Sequence, residues 1–368
     1  MPEIPRAAIR LAARCLPDET SQEGFLSCIS AGRSAEPALL WFAQGEESPF
    51  DSLAPAPWQP PYVDRLDATT KAGSHSLHAA GAYYCLDLSS VFAGAWATVL
   101  ERDHTYSIID VCASPGGKSL LAMRALPQSF LHANETIGKR VGALKENLSR
   151  CGIPAVVTSN DPKILADNYG PTFDIVLADV PCSGQSLLAR GLKNEGCFHD
   201  INVGKNTGRQ RRILAECIRL CKPGGYIAYS TCTYAQSENE GVVEWALSKH
   251  EGCSTVEIPL LNVHRSQLTS EFCYRLWPQQ GVGAGALAPH RQPGAVAAAS
   301  GVLFKVVKSE LAPIEDRGVV FGIVSSAVIV HQVPSGWDWL SIALILLALA
   351  VGMKKGRAVL GRKPVPAV

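Results

Sequence analysis

The chain of 368 residues has twelve cysteines but no C-x-x-C pair. The closest two, Cys217 and Cys221, are one helical turn apart with no partner cluster, so no metal site is expected. Twelve cysteines over this length are too sparse for a disulfide scaffold. Met1 to Leu16 lacks the continuous apolar core of a signal peptide, and a reducing cytoplasm is the expected setting. Net charge is scarce as well. At +1, the protein cannot act as a generic polyanion binder through bulk charge. Internal repeats are absent. Ile342 to Val351 imitates a membrane anchor, with Trp337 and Trp339 before it and Lys354, Lys355 and Arg357 after it. Its apolar run is about half of the ~20 residues a spanning helix needs, so it reads as a core helix and no membrane is expected.

What is present supports a folded chain of about two domains or more. Hydrophobic residues make up 47% and charged residues 18%, which excludes wholesale disorder. Residues 1–75 read as an accessory region, opening with short helical pieces and running through five prolines between Pro49 and Pro61. Residues 76–309 alternate strand and helix, the pattern of an α/β, doubly wound, mostly parallel sheet. Strands are expected over 107–111, 129–133, 155–158, 173–178 and 225–229, with a further one over 302–307. Helices are expected over 117–125, 136–151 and 209–221, the last stopped by Lys222-Pro223-Gly224-Gly225. Ser237-Glu238-Asn239-Glu240 has capping-box spacing and should open a helix through Lys249. Gly281 to Gly294 reads as a loop, and residues 310–368 as a small apolar unit with a basic tail.

In such a sheet the carboxyl ends of the strands border the ligand crevice. The first expected strand runs into Asp110-Val111-Cys112-Ala113-Ser114-Pro115-Gly116-Gly117-Lys118. Paired glycines at a strand-to-helix turn let a ligand approach the backbone. A P-loop would need glycine where Cys112 stands, and no G-x-G-x-x-G is present. Glu135, Asp161 and Asp179 follow the next three strands. One such acid is usually a helix cap or a surface carboxylate. Three in series beside a glycine loop describe a site for an adenosine-containing cofactor with a cationic end, and S-adenosyl-L-methionine fits better than NAD or ATP. Two cysteines also follow strands directly: Cys182 in Asp179-Val180-Pro181-Cys182-Ser183-Gly184 and Cys232 in Tyr229-Ser230-Thr231-Cys232-Thr233-Tyr234. A lone cysteine is most often a packing residue. Two thiols delivered to one crevice suggest a nucleophile and a helper. Six basic residues against two acidic ones between Leu188 and Arg212 form a strip that can meet a phosphate backbone, or a solvated helix face.

These stretches, with Glu238-Asn239-Glu240, Gly81-Ala82-Tyr83-Tyr84 and Arg275-Leu276-Trp277-Pro278, resemble the Nop/Sun family of RNA cytosine-5 methyltransferases, in its bacterial rRNA branch. The resemblance covers about residues 58–308. It departs from the family at Ser114, at Leu86-Asp87-Leu88 and over Gly281 to Leu287. It implies a Rossmann-like methyltransferase sheet with small N- and C-terminal accessory domains that contact RNA. Cys232 would attack the base, Cys182 would assist elimination, and Asp179 would hold the base edge. The backbone of Cys112, Ala113, Ser114, Pro115, Gly116, Gly117 and Lys118, with Glu135, Asp161 and Asp179, would hold S-adenosyl-L-methionine. Lys118 is the candidate positive charge for a Cys232 thiolate, and Cys112 a packing residue. Tyr234, Phe198 or Tyr84 could stack a base. A monomer acting on ribosomal RNA is expected. Methylation of tRNA, and a non-catalytic assembly factor of the same fold, are the alternatives.

Overall fold

In a computed structural model, residues 4–32, 36–43, 48–280 and 299–307 are described. Helices α1 (Arg6–Cys15) and α2 (Glu19–Ala31) lead into β1 (Pro37–Trp41), β2 (Val63–Arg65), a short α3 (Ser76–Ala79) and β3 (Tyr83–Asp87). The next segment holds α4 (Leu88–Ala93), β4 (Ser107–Asp110), α5 (Gly117–Ala125), β5 (Phe130–Asn134), α6 (Gly138–Arg150) and β6 (Ala155–Thr158). After them come α7 (Pro162–Tyr169), β7 (Phe173–Asp179), α8 (Ser186–Ala189), α9 (Asp200–Leu220) and β8 (Cys221–Thr231). Last are α10 (Glu240–Lys249), β9 (Cys253–Val256), β10 (Tyr274–Leu276) and β11 (Ala299–Val306).

Eight strands form one sheet in the order β10-β11-β8-β7-β4-β5-β6, with β9 also paired to β11. The run from β8 to β6 is parallel, as the alternation predicts, and β11 is antiparallel. Alternation of side chains along each strand explains why helices must cover both faces. Ile108, Ile175 and Leu177 point into one core with Phe92 of α4, Leu120 of α5 and Leu144 and Leu148 of α6. Their neighbours Ile109, Val176 and Ala178 point into the other, with Leu165 of α7, Leu214 and Ile218 of α9 and Val242 and Val243 of α10. A second sheet, β2-β1-β3, is antiparallel and joins residues 37–65 to residues 83–87. Just before β3, Gly81, at φ +77°, brings its backbone against Arg150, where a Cβ would stand 1.7 Å from the carbonyl oxygen.

Three expectations change. Helix α9 starts at Asp200, not Arg209, with the His199 imidazole accepting from the Ile201 N–H at 3.4 Å. Gly204 and Gly208 fall inside that first half and hide it from apolar periodicity. The helix ends at Leu220, just before the Lys222-Pro223-Gly224-Gly225 stop, and the strand after it opens earlier than expected, at Cys221. The capping box does not form. Gln236–Glu238 is a turn of 3₁₀ helix, and α10 begins at Glu240 after Asn239 with no side-chain cap. Both glutamates are fully buried and engaged elsewhere: Glu240 forms an ion pair with Arg275, and Glu238 holds a loop described below. The loop expected over Gly281 to Gly294, the unit over 310–368 and Ile342 to Val351 lie outside the described residues.

Candidate active site

The sheet changes direction between β4 and β7: β5 and β6 follow on one side of β4, and β8 on the far side of β7. The crevice of an open α/β sheet lies at that point, outside the carboxyl ends. The loop leaving β4 is built to stay open there. Asp110 is buried, and its carboxylate accepts from Ser119 Oγ at 2.6 Å and from the Cys112 N–H at 3.2 Å. Burial pushes its pKa up to about 7, against those two hydrogen bonds. Gly116 has φ +116°, a conformation for glycine, and leads into α5. Helix α6 holds the other side. Arg140 Nη2 donates to the Ser114 carbonyl at 2.6 Å, Ser114 Oγ donates to the Arg140 carbonyl at 2.9 Å, and Asn147 Nδ2 donates to the Pro115 carbonyl at 2.9 Å.

The acids differ in how much of their capacity is spent. Glu135 is 3% exposed. Its Oε1 accepts from the Ile137 N–H at 2.8 Å, while Oε2 is 3.2 Å from Arg140 Nη1 and has no hydrogen-bond partner among the described residues. Asp161 caps α7, accepting from the Lys163 N–H at 2.9 Å, and still lines the crevice. Asp179 accepts from Lys118 Nζ at 2.7 Å and Ser230 Oγ at 3.0 Å. The negative charge of Asp179 raises the Lys118 pKa, overcoming burial, which alone would lower it.

Cys182 and Cys232 meet. Their sulfurs are 3.1 Å apart, and the Cys232 N–H points at Cys182 Sγ at 3.4 Å. Both thiols are free. The hydrogen bond between them pulls the pair apart in acidity: it lowers the pKa of Cys232 and, together with burial, raises that of Cys182. Lys118 also favours the Cys232 thiolate, but less than the Cys182 hydrogen bond does. Cys112 stands nearby with its pKa raised well above the ordinary value by burial and by Asp110, which suits packing rather than attack. The turn carrying Cys182 is pinned from below. Glu238 Oε2 accepts from the Ser183 N–H at 2.9 Å and from Gln210 Nε2 at 2.8 Å, and the same Gln210 nitrogen donates to the Pro181 carbonyl at 2.9 Å.

One cavity of about 1210 Å³ collects Cys112, Ser114, Glu135, Asp161, Asp179, Cys182 and Cys232. Ala113, Pro115, Gly116, Gly117 and Lys118 do not line it, and Lys118 reaches it only through Asp179. The three aromatics considered for stacking are buried instead. Tyr234 packs parallel to Trp277 with ring centroids 5.6 Å apart, and Phe198 and Tyr84 are core residues because their rings fill gaps between elements. The basic strip also divides. Arg209 and Arg212 line the cavity, Arg190 lies 3.5 Å from Asp87, and Arg211 covers the Trp245 ring. Sequence reasoning missed Arg140, Asn147 and Gln210, single polar residues on helices with no motif around them. Among the described residues no cluster of His, Cys, Asp or Glu is placed to hold a metal, and no helix is long and apolar enough to cross a membrane.

The family described as 16S rRNA methyltransferase RsmB/F matches residues 97–287, over half of the chain. The chain belongs to this family. Two curated relatives, both named ribosomal RNA small subunit methyltransferase F, come from Klebsiella pneumoniae and Citrobacter koseri. The first is 32% identical over 239 residues, 62% of this chain and 49% of its own. The second is 34% identical over 202 residues, 53% of this chain and 41% of its own. The chain therefore spans about half the length of the curated relatives it matches. Among solved structures, a methyltransferase homologue from Pyrococcus horikoshii aligns with TM-score 0.59 at 17% identity, covering 82% of this chain and 100% of that one. NSun6 from the same organism, solved with SFG, aligns with TM-score 0.59 at 16% identity, covering 83% and 98%. At such identities the structures speak for the fold, the Rossmann-like methyltransferase architecture of this RsmB/F member.

Proposed function

We propose that the protein is an S-adenosyl-L-methionine-dependent RNA methyltransferase that modifies carbon 5 of a cytosine in ribosomal RNA. The observation that carries this reading is the 3.1 Å approach of Cys182 and Cys232 in a cavity shared with Asp179, Glu135 and Asp161. The family description and the names of the curated relatives support ribosomal RNA as the substrate. The cofactor fits the residues present: the buried Glu135 Oε2, paired with Arg140 but accepting no hydrogen bond among the described residues, suits a ribose hydroxyl donor, and Ser114 and Asp161 line the same cavity. S-adenosyl-L-methionine supplies an electrophilic methyl group when bound there. The same reading takes a catalytic domain over 76–309 with RNA-contacting flanks over 1–75 and 310–368, working as a metal-free cytoplasmic monomer.

The chain's own groups divide the work. Carbon 5 of cytosine is a poor nucleophile. Addition of the Cys232 thiolate to carbon 6 forms an S–C bond and pushes electron density to carbon 5. Asp179, held by Lys118, positions the base edge. Once carbon 5 carries the methyl group, its remaining proton must leave and the S–C6 bond must break. Cys182 is suited to take that proton at this stage. In the resting site its leading restraint is the hydrogen bond it shares with Cys232. When Cys232 is bound to carbon that restraint is gone, while burial still raises the Cys182 pKa. Cys182 would release its own proton to water in the cavity and take the one from carbon 5, and the S–C6 bond would break with its electron pair returning to Cys232. The base must be unpaired or flipped to enter, at a few kcal/mol.

The test is incubation of full-length protein with labelled donor and ribosomal RNA. Cys232→Ala should abolish 5-methylcytosine formation, and Cys182→Ala should accumulate a denaturant-resistant RNA–protein adduct. Undiminished methylation by Cys232→Ala would sink the mechanism. Methylation of tRNA but not of ribosomal RNA would overturn the substrate.

A further inference from the structure

Helix α9 turns its arginines two ways. Arg209 and Arg212 line the cysteine cavity, while Arg211 lines a second cavity of about 690 Å³. Arg10 and Arg14 of α1 line that second cavity too. Gln185 and Ser237, which follow the two cysteine loops in sequence, also border it, so the cleft adjoins the back of the loops that carry Cys182 and Cys232.

The charge in this cleft is poorly compensated. Arg10 and Arg14 are four residues apart and share one face of α1, where like charges repel. The helix sequence RAAIRLAARC holds no acid to relieve them. Arg211 covers the face of Trp245, 5.6 Å from the ring centroid, and its buried Nε has no hydrogen-bond partner among the described residues. Among the described residues, the only carboxylate lining the cleft is Asp200. A guanidinium fork offers paired N–H donors whose geometry matches phosphate oxygens. Three such groups, carried by α1 and α9 around one cavity that also borders the backs of both cysteine loops, suit the strand that carries the target base.

We propose that the cleft between α1 and α9 binds phosphates of the RNA strand flanking the target base. The strand would leave the cysteine cavity past Arg209 and Arg212, cross α9, and lie between Arg211 on one wall and Arg10 and Arg14 on the other. This rests on the reading of the protein as an RNA-modifying enzyme, and it assigns to the N-terminal helix a direct part in holding substrate.

The test measures binding of the full chain to a fluorescently labelled transcript of small-subunit ribosomal RNA across a salt series. Arg10→Gln/Arg14→Gln keeps residues of good helix propensity in α1, and circular dichroism checks that the fold is retained. Each lost phosphate contact should reduce the slope of log affinity against log salt by about 0.7–0.9. The double variant should therefore lose about 1.5 from the slope and bind more weakly at low salt. Arg211→Lys keeps the charge but not the fork, so it should weaken binding with little change of slope. Affinity for S-adenosyl-L-methionine and the alkylation rate of Cys232 should match wild type in both. An unchanged slope and affinity in the double variant would overturn the groove, and would do so even if the wild type methylates RNA. A wild type that binds RNA with the expected slope but forms no 5-methylcytosine would instead overturn the proposed reaction and leave the groove standing.

Discussion

Cys182→Ala should make Cys232 a slower nucleophile at neutral pH. Among the influences on Cys232, the hydrogen bond from Cys182 is the leading one and favours the thiolate, burial and Asp179 oppose it, and Lys118 assists. Hydrogen bonds to ionised groups are worth about 1.5–3 kcal/mol. The low end applies because Cys232, although the protein atoms around its sulfur act to raise its pKa, opens onto the cavity, where water can replace part of the bond. About 1.4 kcal/mol is a tenfold change in an equilibrium, so the thiolate fraction near pH 7 should fall about tenfold. A less acidic thiol gives a more nucleophilic thiolate, with a Brønsted slope of about 0.4–0.5, which restores about half of the logarithm. The net expectation is alkylation of Cys232 by iodoacetamide about threefold slower at pH 7, followed site by site by mass spectrometry. The deficit should close and then reverse as pH rises and Cys232 ionises fully in both proteins, because the less acidic thiol gives the more nucleophilic thiolate. Cys182→Ser, which keeps a hydroxyl donor, should lie nearer wild type. If Cys182→Ala reacts at pH 7 as fast as wild type or faster, the hydrogen bond does not activate Cys232, and the division of roles loses its physical basis.

The buried ion pair offers a stability test. Arg275 Nε donates to Glu240 Oε1 at 2.5 Å and Nη1 to the Tyr234 carbonyl at 3.0 Å, with both side chains almost fully enclosed. Arg275→Ala strands a buried carboxylate and should cost about 3–5 kcal/mol in urea unfolding; a cost near zero would mean that the pair is not buried in solution. Asp110 gives a pH signature. Its folded pKa of about 7 lies above the ordinary 3.8, so the folded state holds its proton longer, and the stability this confers is complete below about pH 4 and declines as pH rises to 7. Relative to wild type, Asp110→Asn should therefore gain stability across that window, by about 4 kcal/mol at most; a difference independent of pH in thermal melts would refute the shift.

Much of the site was legible because parallel strands buried on both faces appear as short apolar runs, and functional residues follow them directly. Ile108-Ile109 before Asp110 and Ile175-Val176-Leu177 before Asp179 needed no tertiary information. Glu135 and Asp161 fall at the next strand ends for the same reason. The first half of α9 was not legible, since its inner face is made by Thr207 and Gln210 rather than by an apolar stripe. Tyr234 packs in a core against Trp277 and Phe25, which its motif does not reveal, because an aromatic ring looks the same in sequence whether it stacks a base or fills a core.

The sequence by itself determined the two-faced sheet, the order of its strands' functional ends, and the membership of the two cysteines and three acids in one crevice. Those follow from side-chain periodicity and from chain direction in a parallel sheet. Only the tertiary structure decided which partner each group meets. Glu238 has the spacing of a helix cap yet turns inward to hold the Cys182 turn, and Lys118 spends its charge on Asp179 before it reaches Cys232. The group that Cys232 meets is Cys182, fifty residues away along the chain and 3.1 Å away in space. Hydrogen bonds and ion pairs fall off within a few ångströms, and no local pattern records which distant side chains the fold brings within that range.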